Sequence, residues 1–338
     1  MRREQQSSIG RSVGAVVIGR NEGERLEACL RSLEGEVDEI VYVDSGSSDE
    51  SVARARRHGA RIVELDAALP FTASRARNAG AKRLAELRRP PEKILFIDGD
   101  CELFRGFLSR AIEAIESREE IAVVCGVRKE RAPRASIYNL LCDIEWDGPE
   151  GFVDACGGDA LMKADAFWAV GGFDESLIAG EEPELCLRLR RRGEKILRIP
   201  AEMTRHDADL RRFNQWFRRA ERAGHAFIEC ALKHRGGGER YWQREALRPF
   251  VYVVVVPFVA FAFSIPSGGL SLLAFLAYPI SFARGYRAFR ARGRARKEAA
   301  IASASCLLGR VPELVGEARF LAQRARGRSR GIIEYKEA

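Results

Sequence analysis

Three observations predict an α/β fold, a mostly parallel Rossmann-like sheet flanked by helices, followed by a hydrophobic helical hairpin and a basic tail. Four short runs rich in Val and Ile alternate with segments of helical spacing, the pattern of a parallel sheet covered on both faces. Thirty-five consecutive residues, Pro249 to Ala283, carry no charge and are interrupted at Ser264–Gly269 (SIPSGG), which predicts a hairpin of two short apolar helices. The formal net charge of +8 gathers at the end of the chain, where residues 284–338 hold fourteen Arg or Lys against five Asp or Glu. The expected divisions are a catalytic domain over 1–235, a linker and membrane-associated hairpin over 236–283, and a partly helical basic tail over 284–338.

The elements follow in order. Residues 13–18 (VGAVVI) form the first strand, and Leu26, Cys29, Leu30 and Leu33 mark one face of the helix after it. Residues 38–43 (DEIVYV) make the second strand, after which Ser47 and Glu50 have capping-box spacing and open a helix over 48–58. The third strand is 61–65 (RIVEL) and the third helix 72–88. The fourth strand, 93–98 (KILFID), precedes a helix whose face is Phe107, Leu108, Ala111, Ile112 and Ile115. Farther on, 195–200 (KILRIP) reads as another strand. Sheets of this kind bind ligands at the carboxyl ends of their strands.

Composition narrows the function classes. The eight cysteines show no C-x-x-C pair and no regular spacing, which argues against a zinc module or a disulfide framework and for a reducing compartment. No apolar leader region is visible at the N-terminus. A basic tail suits anionic lipid or nucleic acid. Its apolar neighbour and its few aromatics favour lipid, and nucleic acid is not expected as a partner. Arg244 and Arg248 precede the uncharged stretch while Arg284, Arg287 and Arg290 follow it, which places both ends on the cytoplasmic side. A buried helix pair in a soluble protein is the plainer reading of the same stretch.

Three strand ends carry chemistry. The first runs into GRNEGERL (19–26), which lacks G-x-G-x-x-G and so is no dinucleotide fingerprint. The second runs into DSGSSDES (44–51), where Asp44 leaves the strand within reach of a ribose or base and the serines also read as simple caps. At the fourth, Asp98 and Asp100 stand one residue apart. Hard divalent ions prefer such carboxylates and often carry phosphate on their open positions, although an Asp-Gly-Asp triplet is also an ordinary polar turn.

In order and spacing, VVIGRNEGERL (16–26), VYVDSGSSDES (41–51), SRARNAG (74–80), FIDGD (96–100), GGDALMKADAFWAVGGFDE (157–175) and GEEPELCLRL (180–189) resemble a family 2 glycosyltransferase with the GT-A fold, over about residues 12–225. The resemblance implies an inverting, metal-dependent, hexosyltransferase-like enzyme. Its donor is a nucleoside-diphosphate sugar and its acceptor a glycan or lipid-linked hydroxyl of the cell envelope. Glu22 and Asp44 would hold the nucleoside and Arg77 the diphosphate. Asp98 would meet ribose or metal, Asp100 would bind Mn²⁺ or Mg²⁺, and His206 would be a further metal ligand. Asp159 would line the sugar site, with a hydrogen-bonded core role as its alternative. Glu182 aligns with the general base, and Glu181 stays open because the usual aspartate is here a longer glutamate. Gln215, Trp216, Arg218 and Arg219 share residue types with the signature of processive members in a different order, so no polymerising enzyme is inferred.

With the hairpin and tail as anchors, the expected location is the cytoplasmic face of the inner membrane. Two other readings compete. A membrane-docked scaffold would keep the fold without catalysis. A sugar nucleotidyltransferase would need a glycine- and lysine-rich phosphate loop, and GRNEGERL holds no lysine.

Overall fold

The computed structural model describes residues 12–237 and 239–327. The start of the chain (1–11), Gly238 and the last part of the basic tail (328–338) lie outside the described residues. Two compact units divide the chain, one of residues up to Ala132 together with Glu145–Ala208, the other of Pro133–Ile144 together with everything from Asp209.

The first unit opens as the alternation predicts: β1 (Val13–Gly19), α1 (Glu24–Leu33), β2 (Glu39–Asp44), α2 (Ser51–Arg57), β3 (Arg61–Glu64), α3 (Ala73–Ala85) and β4 (Lys93–Asp98). Strands β3, β2, β1 and β4 lie side by side and parallel. Helix α1 buries Leu26, Cys29, Leu30 and Leu33, the face read from its spacing. Thr72 caps α3, its Oγ1 accepting from the backbone N of Arg75 at 3.2 Å. Gly80 lets α3 settle onto the sheet, since a Cβ there would lie 2.4 Å from Cγ1 of Val16.

Beyond β4 the sheet departs from a parallel arrangement. After β5 (Cys101–Leu103) and α4 (Phe107–Glu116) come β6 (Ile121–Glu130), α5 (Ile137–Trp146), β7 (Gly151–Val153), β8 (Ala160–Lys163), α6 (Ala164–Ala169), α7 (Glu181–Arg191) and β9 (Lys195–His206). The sheet order is β3-β2-β1-β4-β8-β6-β9-β5, with β7 also on β9. Strand β8 is antiparallel to both β4 and β6, and β5 and β7 are antiparallel to β9. These inserted strands have three or four residues, too few to show a period. Strand β9 continues six residues past the predicted KILRIP, so that His206 ends it.

The predicted capping box at Ser47 and Glu50 does not form. Helix α2 starts at Ser51 without a side-chain cap, while Ser47 Oγ accepts from Asn21 N at 2.9 Å and Asp49 Oδ1 accepts from Ser51 N at 2.9 Å. The serine is used to fasten the first loop to the second.

The second unit is helical: α8 (Phe213–Lys233), α9 (Gln243–Phe250), a π-turn at Val251–Val255, α10 (Val256–Ala262), a 3₁₀ segment at Leu270–Leu276, α11 (Ala277–Ala291), α12 (Arg296–Leu308) and α13 (Arg310–Ala325). Helices α8 and α13 meet backbone to backbone: a Cβ on Gly316 would lie 1.9 Å from the carbonyl oxygen of Glu221. The predicted hairpin is present, its turn made with Gly268 and Gly269 in left-handed conformations. Pro257 has no N–H to return to the π-turn, and the Tyr278 hydroxyl donates instead to Tyr252 O at 2.6 Å, tying the two arms. Much of the hairpin's hydrocarbon is exposed, including Phe258, Phe261, Ile265 and Leu270. Two helical stretches are long and apolar enough to cross a membrane by length and composition, Gln243–Ala262 and Arg296–Ala325.

Candidate active site at the carboxyl ends of the strands

The chain leaves β4 through Asp98, Gly99 and Asp100, and the strand pairing decides what meets them. In the β5–β9 ladder Cys101 stands opposite His206, so the residue after Asp100 is registered against the imidazole. His206 Nε2 comes to 3.4 Å from Asp100 Oδ2, and Asp207 N donates to Asp100 O at 3.1 Å. Asp100 and His206 are both buried. Their donor atoms and Cys101 Sγ all fall within 4.8 Å of one another. The structure therefore joins two of the expected metal ligands from distant parts of the sequence.

Asp98, the third expected ligand, turns toward a cation of the protein. Arg77 rises from α3 with Nη2 at 2.8 Å from Asp98 Oδ1 and Nη1 at 2.7 Å from Glu181 Oε1. Burial pushes the Asp98 carboxyl up and the Asp100 charge adds to this, but Arg77, with Arg128 and His206 behind it, holds it below the usual carboxylate range. Burial likewise works against the Arg77 charge, and the Asp98 and Glu181 carboxylates overcome it, so its pKa lies above the ordinary value. The guanidinium also lies over the Phe173 ring, 5.5 Å from its centroid. Asn78, one residue on, fixes that ring's turn by accepting from Phe173 N at 2.9 Å and donating to Phe173 O at 2.8 Å.

Asp159 has the surroundings of its alternative reading, a hydrogen-bonded core position. It has no exposed surface, and it works as a tie between strands: Oδ1 accepts from Asp98 N at 3.2 Å and Oδ2 from Thr204 Oγ1 at 2.7 Å. Arg128 Nη2 lies 2.9 Å from the same Oδ2. Burial pushes the Asp159 carboxyl above its ordinary value, with Arg128 opposing only in part. Asp44 is also buried, its Oδ2 accepting from Gly46 N at 2.9 Å and Ser47 N at 2.8 Å while Oδ1 accepts from the Tyr42 hydroxyl at 3.0 Å. Its carboxylate thus organises the DSGSS turn. Glu22 pairs with Arg25 at 2.9 Å and packs beside Gly99.

Glu182 and Glu181 begin α7, where carboxylates favour the helix dipole. They have separate partners. Glu181 belongs to Arg77, whereas Glu182 Oε1 accepts from Cys156 N at 2.5 Å and lies 3.1 Å from Cys186 Sγ. Cys156, Cys186 and Glu182 are all buried.

Sequence reasoning missed Arg128, Trp146 and Thr204. Trp146 stacks edge-on against His206 with centroids 4.6 Å apart, and the Arg128 guanidinium lies 5.4 Å from the centroid of the same ring. Strand register and packing place them, and nothing in their local sequence marks it. His58, unassigned from sequence, pairs with Glu34 at 2.7 Å.

Residues 15–169 match the model of glycosyl transferase family 2. The glucosyl-3-phosphoglycerate synthase of Mycobacterium tuberculosis is 32% identical over 98 residues, which is 28% of this chain and 30% of that protein. An uncharacterized glycosyltransferase of Rickettsia conorii is 32% identical over 96 residues, 28% of this chain and 31% of its own. The chain thus spans less than a third of the length of these curated relatives. Among solved structures, the mannosyltransferase PcManGT from Pyrobaculum calidifontis, in complex with GDP-Man and Mn²⁺, superposes with a TM-score of 0.61 at 17% identity, covering 91% of this chain and 86% of that one. Residues 1–349 of TarS from S. aureus superpose with a TM-score of 0.51 at 13% identity, covering 94% and 92%. At these identities the likeness is one of fold.

Proposed function

We propose that this chain, a glycosyltransferase of family 2 with the GT-A fold, inverts the sugar it moves from a nucleoside-diphosphate donor to a hydroxyl of a membrane-linked or cell-envelope acceptor. The observation that carries the reading is the convergence of Asp100 and His206 where β4 and β9 end, with Asp98 close by and paired to the buried Arg77. Carboxylate with imidazole is a donor set suited to Mn²⁺, and Mg²⁺ is the alternative that favours oxygen more strongly. Asp100 and His206, with Asp98, would hold such an ion, which when bound neutralises charge on the departing diphosphate.

The protein's own groups perform the remaining steps. Glu22 and the turn organised by Asp44 receive the nucleoside. Arg77 offers its forked donors to phosphate oxygens in competition with Asp98 and Glu181. Glu182, oriented by the Cys156 N–H, takes the proton from the acceptor hydroxyl as that oxygen bonds to the anomeric carbon and the bond to the diphosphate breaks. The incoming oxygen and the leaving diphosphate lie on opposite faces of the sugar, hence inversion.

The exposed hairpin supplies the membrane contact, at the cytoplasmic face where nucleotide sugars are available. The uncharged part of its first arm, residues 249–262, rises about 21 Å at 1.5 Å per residue, short of a hydrocarbon core of roughly 30 Å. The hairpin therefore dips into one leaflet, with basic residues at both ends meeting anionic headgroups.

Thermal stabilisation by a panel of nucleoside diphosphates, with and without Mn²⁺, tests the donor site. Wild type is expected to gain about 3–4 kcal/mol from a matching nucleotide at 100 to 1,000 times its Kd, dependent on the ion, and Asp100→Ala is expected to lose that gain. Absence of an ion-dependent gain in wild type with every nucleotide would overturn the reading.

A further inference from the structure

Two thiols beside the base have no part in the transfer as described. Cys156 stands in the loop before β8, and Cys186 lies one helical turn after Glu182 on α7, so that both sulfurs face the same carboxylate. Cys186 Sγ is 3.9 Å from Cys156 Sγ and 3.1 Å from Glu182 Oε1, and the three ligand atoms lie within 4.8 Å of one another. Zinc bonds sulfur at about 2.3 Å and carboxylate oxygen at about 2.0–2.2 Å, so the edges of a tetrahedron around it measure roughly 3.3–3.8 Å. The observed spacings bracket those edges. Two sulfurs and one carboxylate select a borderline-soft ion such as Zn²⁺ or Cd²⁺, whereas Asp100 and His206 have a single sulfur, Cys101, beside them.

Charge favours this assignment. A divalent ion that displaces two thiol protons and binds one carboxylate leaves the buried site with the same net charge of −1 that the ionised Glu182 alone gives it. Filling the site therefore adds no net buried charge. A disulfide is the weaker alternative, because the sulfurs stand 3.9 Å apart, nearer to the spacing of two ligands on one ion than to an S–S bond of about 2.05 Å.

We propose that Cys156, Cys186 and Glu182 form an inhibitory binding site for a thiophilic divalent ion, which on binding withdraws Glu182 from the acceptor hydroxyl. This rests on Glu182 being the general base. The exchange is balanced: one Zn²⁺ enters, two thiol protons leave to solvent, and no electron is transferred. The ion that assists the diphosphate and the ion that blocks the base would thus be sorted by donor softness within one unit of the protein.

Cd²⁺ and Zn²⁺ titrations of the full-length protein test the proposal, in a Cys306→Ser background because Cys306 is the exposed thiol among the described cysteines. Cd²⁺ should give a saturable thiolate charge-transfer band at one equivalent, with two protons released. Cys156→Ala retains the backbone N–H that orients Glu182, and Cys186→Ser retains a donor toward it. Each is expected to abolish the band, and Cys186→Ser is expected to preserve transfer under chelator. One equivalent of Zn²⁺ should reduce transfer at least tenfold in the parent, reversibly by chelation and with saturating Mn²⁺ present, but not in either variant. A missing band in the parent, or a band that survives in both variants, overturns the site. A stoichiometric band with undiminished transfer overturns the inhibition and removes Glu182 from the role of base. That second failure is distinguished by Glu182→Gln, assayed without thiophilic ions.

Discussion

The two units of this protein invert the usual rule of surface and interior in opposite ways. The first buries charge: Arg77, Asp100, Asp159, Glu182 and His206 are all at least nine-tenths hidden. The second exposes hydrocarbon, with Phe258 at 63%, Phe261 at 66% and Ile265 at 91% of full accessibility. Neither arrangement serves stability alone, since buried ions lose hydration and exposed apolar side chains gain nothing from folding. What differs is the medium each unit is suited to meet. In the proposed function, paired buried charges would hold a fixed field for a polyanionic substrate, and bare hydrocarbon would meet a lipid surface. The contrast can be broken one side chain at a time.

The largest expected effect is on chemistry. Glu182→Gln keeps the shape and an acceptor for the Cys156 N–H but removes the basic lone pair. Transfer should fall by about 10²- to 10⁴-fold, the usual contribution of a positioned general base. Nucleotide-dependent thermal stabilisation should remain as in wild type. Turnover preserved in a steady-state assay would move the role to another group, and Glu181 is the first to test because its Arg77 contact gives it a separate anchor.

Next comes the cation that makes burial of the carboxylates tolerable. Arg77→Met leaves Asp98 and Glu181 without their shared partner, and breaking such a buried pair costs about 3–5 kcal/mol in urea unfolding. The pH dependence has a definite sign. Because the Asp98 pKa is lowered in the fold, its contribution is present above the unfolded carboxylate pKa of about 3.9 and is lost as pH falls through the lower folded value. Without Arg77, Arg128 and His206 alone are left to oppose burial and the Asp100 charge, so Asp98 protonates at higher pH and the acid limb of the stability profile moves upward. An unshifted acid limb in the variant would mean that Arg77 does not set the Asp98 charge.

How much of this was legible beforehand follows from the range of each interaction. Strands β1 to β4 and helix α1 were readable because a buried parallel strand and an amphipathic helix write their periods into contiguous residues. Asp98, Asp100 and Arg77 were singled out through motif order, and the fold sets them at the end of β4 and on α3 just before it. The sequence could not show that Asp159 is a fully buried tie or that Arg128 backs it, because both facts depend on β8 and β6 meeting across the sheet. The Ser47 cap was misread for a related reason. Its hydroxyl has a partner 26 residues away in Asn21, and a tertiary contact displaced the local one. Cys156 and Cys186, thirty residues apart without a spacing motif, are neighbours only because α7 packs against the loop before β8.

The smallest expected effect sharpens the other side of the contrast. Phe258 is 63% exposed on the first arm of the hairpin, so Phe258→Ser removes little buried surface within the fold. Unfolding stability should change by no more than about 0.5 kcal/mol, as for ordinary surface positions. Binding to anionic vesicles is different if the ring enters the leaflet. Full burial of a Phe side chain is worth about 1.5–3 kcal/mol, so partitioning should weaken by roughly ten- to 150-fold in a sedimentation assay. The two measurements must separate for the contrast to hold. Equal vesicle binding by variant and wild type would take lipid away from this face, whereas a matching loss of stability would show that the ring packs against protein.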